Sequence, residues 1–203
     1  MEECDRRTMV TVRGAPAVGL NRSFSVIALA CAVGLLSACG SDDEPAAPPC
    51  PRALIVTDAA SLTTFAAGTG RDFIDVDFQV EIADLKSGCQ FENVDGRTMA
   101  VVAVAPVLVA TRGPANTDRV AKFQYFVSVI GPTGAILNKQ LFDVVATFEG
   151  NQRRLMYTED DPPITVELAL DASGRADNYE MLVGLQLTPA QLDYNRRQRN
   201  VRP

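Results

Sequence analysis

The chain of 203 residues contains no histidine. This absence excludes the Ser-His-Asp and Cys-His nucleophile systems in their usual forms and nearly every zinc site built on imidazole. It also removes the side chain that most often transfers protons near neutral pH. The sequence therefore predicts a protein that is not an enzyme. A histidine-free enzyme, with paired carboxylates or a Ser-Lys pair, is the alternative.

Tryptophan is also absent, and there are only four tyrosines, although glycan-binding clefts in β-sandwiches usually expose these two residue types. Positive charge is scarce as well, since 19 Lys and Arg face 25 Asp and Glu and give a net charge of −6. This acidic balance argues against nucleic acid as a partner and against direct adhesion to anionic lipid headgroups.

The sequence has no apolar run long enough to cross a bilayer comfortably, which takes roughly 20 residues. The main candidate is the stretch 24–36 (FSVIALACAVGLL), which spans 13 residues. It fits the apolar core of a secretory signal, about 7 to 15 residues long and preceded by positive charge, here Arg13 and Arg22. Residues 1–38 are therefore predicted to be a signal peptide.

The signal peptide ends in Leu36-Ser37-Ala38-Cys39, a quartet that resembles a bacterial lipobox. The chain is thus similar to proteobacterial outer-membrane lipoproteins that carry an uncharacterised periplasmic β-domain. The resemblance implies cleavage before Cys39 and attachment of acyl chains such as palmitate to its sulfur and amino group. Several such chains hold a soluble domain on a membrane stably. The alternative is a plain signal peptide or membrane anchor with a chance cysteine.

The residues after Cys39 indicate the membrane to which such a lipoprotein is sorted. Gly40 and Ser41 follow, and no aspartate, the inner-membrane retention mark of enteric lipoproteins, comes directly next. The resemblance therefore implies the periplasmic face of the outer membrane, with the periplasmic face of the inner membrane or the cell surface as alternatives. Residues 39–50 are acidic and proline-rich and are predicted to form a solvated tether.

Two cysteines remain once Cys4 and Cys31 leave with the signal peptide and Cys39 is acylated. In an oxidising compartment, Cys50 and Cys89 most simply form a disulfide. The alternative is two buried free thiols. A redox function is not indicated, because the sequence has no C-x-x-C motif.

Residues 51–195 are predicted to form one all-β domain of about seven to nine short strands. Residues 74–82 alternate strictly, with Ile74, Val76, Phe78, Val80 and Ile82 on one face, as expected of a half-buried strand. In the apolar stretch 99–110, Pro106 predicts an edge, a bulge or a break between two strands. Further strands are predicted at 122–130, 135–148, 153–158, 164–170 and 179–187.

This pattern favours an antiparallel β-sandwich, immunoglobulin-like or similar, with a small β-barrel as the alternative. Thr188 and Pro189 predict the start of a short C-terminal helix that runs to about Asn195. Residues 196–203 form a basic tail, in which Arg196, Arg197, Arg199 and Arg202 are candidates for contact with anionic glycan, lipopolysaccharide phosphates or an acidic protein patch. The alternative for this tail is a frayed, solvated end.

Two groups of acidic residues are candidates for a site. Asp75, Asp77 and Glu81 could join the acidic cluster at 159–161 in a calcium site, or supply an acid–base pair for sugar cleavage. There is no D-x-D-x-D-G loop, and a solvated strand face with a solvated turn explains the same residues. The sequence therefore predicts no metal, no cofactor and no catalytic residue.

The first functional hypothesis is a membrane-anchored, non-catalytic accessory or scaffold module of a cell-envelope complex. Its partners would be the membrane, through the lipid, and an envelope protein, met by the arginine tail or by addition of a strand to a sheet edge. The second is a module that binds a glycan, a small molecule or calcium. The third is the histidine-free enzyme.

Overall fold

The computed structural model describes residues 48–68 and 70–201 of the chain. The predicted signal peptide, the lipobox and most of the tether lie outside these residues. The described part belongs to one compact unit, Pro45–Pro203. Within the described residues, the nine strands and one α-helix are β1 (Arg52–Ile55), β2 (Ser61–Phe65), β3 (Val76–Val94), β4 (Arg97–Arg112), β5 (Val120–Ile130), β6 (Ile136–Thr147), β7 (Arg154–Thr158), β8 (Ile164–Ala169), β9 (Glu180–Leu185) and α1 (Pro189–Val201).

The strands form two sheets that share a single apolar core. The first sheet has the order β1-β9-β5-β6, and the second has β2-β3-β4, with β7 and β8 both paired to the far side of β4. Every pairing is antiparallel except that of β1 with β9. The predicted all-β sandwich is confirmed. The alternative, one sheet closed on itself, does not form in the described residues.

Strict alternation of residue type builds the core. The inward side chains of β5 are all buried, as are those of β3 from Val76 to Ile82. Complete burial of one such side chain stabilises the fold by roughly 1.5 to 3 kcal/mol. The residues that fill the core from these two strands are Val76, Phe78, Val80, Ile82, Phe123, Tyr125, Val127 and Val129.

The prediction for Ile74 is wrong. Its side chain is 72% exposed, because the segment Phe73–Asp75 is a short 3₁₀ helix and β3 begins only at Val76. A capping box starts that helix, in which the N–H of Asp72 donates to the carboxylate of Asp75 at 3.0 Å. Local hydrogen bonds of this kind override an alternating pattern at the end of a strand.

Pro106 lies inside an unbroken strand, β4. On the β3 side it is paired with Leu85. On the other side β4 changes partner, because β8 pairs with residues 99–104 and β7 with residues 107–111. Since proline has no N–H to donate, it is tolerated where no strand needs that bond. The break that Pro106 predicts is therefore found in the neighbouring strands.

Strands β3 and β4 form one long hairpin. Its two-residue turn is Asp95-Gly96, and both residues have positive φ, 51° and 77°. This backbone suits the right-handed twist of a tight hairpin, and Gly adopts it without strain. Cys89 lies on the distal half of β3 and is bonded to Cys50, with 5.9 Å between the Cα atoms. The predicted disulfide is confirmed.

The predicted helix is confirmed at its start and wrong at its end. Thr188 caps it, because the Gln191 N–H donates to the Thr188 hydroxyl at 3.3 Å and the Thr188 N–H donates to the Gln191 side chain at 2.8 Å. The helix does not stop at Asn195 but continues to Val201. In the described part of the chain, no helix has the length and apolar character needed to cross a membrane.

Candidate binding groove beside the C-terminal helix

Helix α1 is fixed to the sandwich by one buried amide. The Asn195 side chain donates to the carbonyls of Asp58 and Ser61, at 3.0 and 2.7 Å. The preceding residue, Tyr194, packs its ring edge-on against Phe65 of β2, with 5.4 Å between the ring centres. Together these contacts fix the rotation of the helix, and therefore the directions of its arginines.

Two of the four predicted arginines are engaged within the protein. Arg196 donates to the Asp58 carboxylate at 2.9 Å, and Arg199 forms an ion pair with the same carboxylate. The hydrogen bond from Arg196, together with the charge of Arg199, holds the pKa of Asp58 below its ordinary value. These two arginines therefore fasten the helix to the short 3₁₀ helix Thr57–Ala59. Arg202 lies outside the described residues.

Arg197 projects into a groove of about 580 Å³ on one side of α1. Within the described ranges its side chain makes no hydrogen bond or ion pair. Arg71 lines the same groove, with its guanidinium 5.2 Å above the centre of the Phe65 ring. The described lining contains no acid; it is Thr63, Thr64, Phe65, Arg71, Thr188, Ala190, Gln191, Tyr194, Arg197 and Gln198.

The position of Arg71 is set by the loop before β3. Its guanidinium donates to the carbonyls of Gly68 and Gly70. An added Cβ at Gly70 would lie 2.3 Å from the Asp75 carboxylate, so a larger residue there would displace that side chain. One guanidinium is thus held by backbone and an aromatic ring, while the second comes from a rigid helix. The pair defines the arginine groove, lined by Arg71 and Arg197 over Phe65 and Tyr194.

A second groove, of about 520 Å³, lies on the other side of α1. Its charged groups are already paired, since Arg154 of β7 donates to Glu81 of β3 at 3.2 Å and Arg199 is engaged with Asp58. A charged ligand would have to compete with these internal pairs. The arginine groove is therefore the better candidate for binding an anion.

The acidic residues that are candidates for a calcium site or an acid–base pair do not lie close together. Asp77 accepts a hydrogen bond from Asn116 at 2.8 Å, Glu81 is bound to Arg154, and Asp160 is 3.2 Å from Lys86. In the part of the chain that the structure describes, no three Asp, Glu, Cys or His side chains lie close enough to hold a metal ion. The Glu81–Arg154 and Asp160–Lys86 contacts are ordinary surface ion pairs, whereas Asp77 is bound by the buried Asn116 amide.

Two tyrosines and a glutamate form a cluster that no sequence pattern indicated. Burial raises the pKa of the Tyr125 phenol, and the nearby Glu159 carboxylate raises it further. The Tyr157 phenol is affected in the same way, and its hydroxyl has no hydrogen-bond partner within the described structure. Raised values keep both phenols protonated, whereas a nucleophile or base would need a lowered pKa.

Two guanidiniums over an aromatic floor can bind a carboxylate or phosphate in the plane of their N–H groups and an apolar group against the rings. The chain has no match among protein-family models, curated proteins or solved structures.

Proposed function

We propose that the protein is a lipid-anchored, non-catalytic module of the bacterial cell envelope that holds a partner protein through the arginine groove. The observation that supports this most strongly is the pair Arg71 and Arg197. Both guanidiniums line one groove with no described acid among its residues, although the chain as a whole is acidic. Uncompensated positive charge on an acidic domain favours an anionic partner.

The chemistry of the groove favours an acidic peptide segment as the bound group. Carboxylates match the planar N–H pairs of arginine, and Phe65 and Tyr194 present ring surface to an apolar side chain beside the acid. Thr63, Gln191 and Gln198 add groups that hydrogen-bond peptide backbone. A segment that alternates acidic and apolar residues would use all three features.

The proposal places this module at the outer membrane, on its periplasmic face. The resemblance of residues 36–39 to a lipobox supports this, together with a Cys50–Cys89 disulfide, which is typical of oxidising compartments. Lipid on Cys39 and a solvated tether would leave the sandwich free to meet a partner near the membrane surface.

Cys39→Ser tests the anchor. We expect the variant to lose acylation and to move from the membrane pellet to the soluble or uncleaved fraction, because several acyl chains are lost at once. The measurement is fractionation of cells that express the full-length chain, with mass spectrometry of the amino-terminal peptide. Ser37→Thr, which keeps the thiol, serves as the control. A Cys39→Ser protein that still carries lipid would overturn the anchor.

Arg197→Glu tests the groove. We place a photo-cross-linking residue at Ala190, which is exposed and lines the groove, and follow the adduct in cells. Loss of one charge-assisted pair and its replacement by repulsion should weaken binding by at least about tenfold, so the adduct should nearly vanish. Arg97→Glu, at the hairpin turn and without a described side-chain contact, makes the same change in net charge and should leave the adduct intact.

Truncation of the chain after Tyr194 is a poor substitute for this test. It would remove Asn195 and both arginines that fasten α1 to Asp58, so loss of binding would report loss of the helix. A protein adduct that survives Arg197→Glu, or is lost equally in Arg97→Glu, would contradict the proposal. Cross-linking to lipopolysaccharide alone would mean that the groove binds a phosphate group and not an acidic peptide.

A further inference from the structure

Strand β6 is an unusually long open edge. It has 12 residues, whereas the other edge strands, β1, β2, β7 and β8, have between four and six. Proteins normally keep such edges short, because their unpaired N–H and C=O groups invite another strand. Apolar side chains are also exposed along β6, with Leu141 48% and Val145 63% accessible.

The hydrogen-bond register shows which residues face the open edge. Just beyond β6, the Phe148 N–H donates to the carbonyl of Arg119, which lies opposite it, at 2.8 Å. In an antiparallel pair, the residues whose backbone groups point toward the partner alternate with those that point away. Counted back from Phe148, the odd-numbered residues 139–145 direct their N–H and C=O groups away from β5.

The side chains of these same residues lie on the outer face of the sheet, since Phe142 and Val144 face the core with β5. Along the edge they read Lys139, Leu141, Asp143 and Val145. Leu141 lies midway between a positive and a negative charge. A two-fold axis through Leu141 would therefore place each Lys139 opposite the Asp143 of a second copy.

We infer that β6 pairs with the β6 of a second copy of this chain, antiparallel and centred on Leu141. Both members of each pair would have backbone groups pointing at the open edge, as an antiparallel ladder requires. Leu141 would meet its own counterpart, and each Lys139 would lie opposite the Asp143 of the second copy. The two four-stranded sheets would become one sheet of eight strands.

The charges favour this register over its neighbours. A two-fold axis through residue 140 or 142 would oppose Lys139 or Asp143 to Leu141 and leave the ion pairs unmade. Parallel, in-register pairing would bring each Lys139 against the other Lys139. Lys139 and Asp143 disfavour pairing of this edge with most other strands. In one register, however, they are complementary to the same residues of a second copy.

The side chains of Lys139 and Asp143 can each form a further hydrogen bond across this contact. Lys139 donates to Gln186 at 3.0 Å and lies 4.3 Å from the centre of the Phe126 ring, while Asp143 accepts from Gln124 at 2.8 Å. An ammonium has three donors and a carboxylate about four acceptor positions, so each can add a partner. The existing contacts hold both groups on the outer surface.

A single cysteine tests the register. Residues directly opposite in a hydrogen-bonded pair have Cα atoms about 5.5 Å apart, within the range of a disulfide. Leu141→Cys, in membranes that contain the full-length chain, should therefore give a covalent dimer as the main species after mild oxidation. Lys139→Cys is the control, because its counterpart would lie roughly 13 Å further along the strand.

Coexpression of Lys139→Cys with Asp143→Cys should restore the covalent dimer, since these positions oppose each other. A Leu141→Cys protein that remains monomeric would overturn the inference. Equal dimer yields from Leu141→Cys and Lys139→Cys would overturn it as well, because random collision produces that result.

A charge swap supplies a second measurement without added thiols. Lys139→Glu should raise the dimer dissociation constant by about tenfold, because two cross-strand ion pairs become repulsive contacts. Lys139→Glu combined with Asp143→Lys should restore it to within about threefold. Sedimentation of the detergent-solubilised full-length protein reports both values. If the double variant dimerises as weakly as Lys139→Glu alone, the result contradicts the pairing.

Discussion

Replacement of both Cys50 and Cys89 by serine is expected to lower the free energy of unfolding by about 3 to 4 kcal/mol. The two residues are 39 positions apart in sequence, so the bond closes a long loop in the unfolded chain. It also joins the residue just before β1 to the distal half of the β3–β4 hairpin, which no strand of the first sheet pairs with. Urea denaturation of the purified variant measures the loss.

Reduction of the native protein provides the matched control. Its denaturation midpoint should fall to that of the serine variant when a reducing agent is present, whereas the variant should not respond to the reductant. Equal midpoints for the native and variant proteins under oxidising conditions would mean that the bond adds no stability.

The sequence was most informative where one strand face is buried and the other is solvated. Residues 122–130 illustrate this, because Phe123 and Tyr125 alternate with Lys122 and Gln124 and the structure buries the first pair. Period-2 alternation follows directly from strand geometry, so it needs no knowledge of the partner strands. It fails at Ile74, where local carboxylate hydrogen bonds decide the backbone instead.

The distal half of β3 was not predicted to be a strand, although it contains Cys89 of the confirmed disulfide. Residues 83–94 are polar or small on both faces over much of their length, so no alternation marks them as a strand. The turn Asp95-Gly96 was nevertheless a usable indication, since this dipeptide favours a two-residue hairpin. Residues 83–94 become a strand because they pair with the apolar strand β4, and their local sequence pattern does not indicate this.

The arginine groove could not be predicted from the sequence. Its two guanidiniums, Arg71 and Arg197, come from a loop and a helix that are far apart in sequence, and the packing of α1 on β2 brings them together. The basic composition of residues 196–199 was visible, but composition alone could not show that Arg196 and Arg199 are engaged by Asp58. Long-range pairing of this kind depends on the tertiary fold.

Gly113→Ala is expected to lower the free energy of unfolding by about 3 kcal/mol, the upper end of the usual cost of overpacking. An added Cβ would lie 2.0 Å from the carbonyl oxygen of Val76. The obstacle is backbone, so no side-chain rotation relieves it. Gly113 also donates its N–H to the carbonyl of Asp77 at 2.7 Å, and Ala115 donates to Val76 at 3.0 Å. A shift that relieves the clash must strain or break these bonds.

Gly88→Ala is the matched control, because it makes the same chemical change on β3 where an added Cβ meets nothing within 4 Å. Its effect should stay within about 0.5 kcal/mol. Thermal and urea unfolding of both variants separate the steric cost from the loss of glycine's freedom in the unfolded chain, which is common to the two. Equal stabilities would show that the loop after β4 can move away from Val76. A large deficit in Gly113→Ala alone would locate a rigid junction there, where Asn116 also ties this loop to Asp77 and Val120.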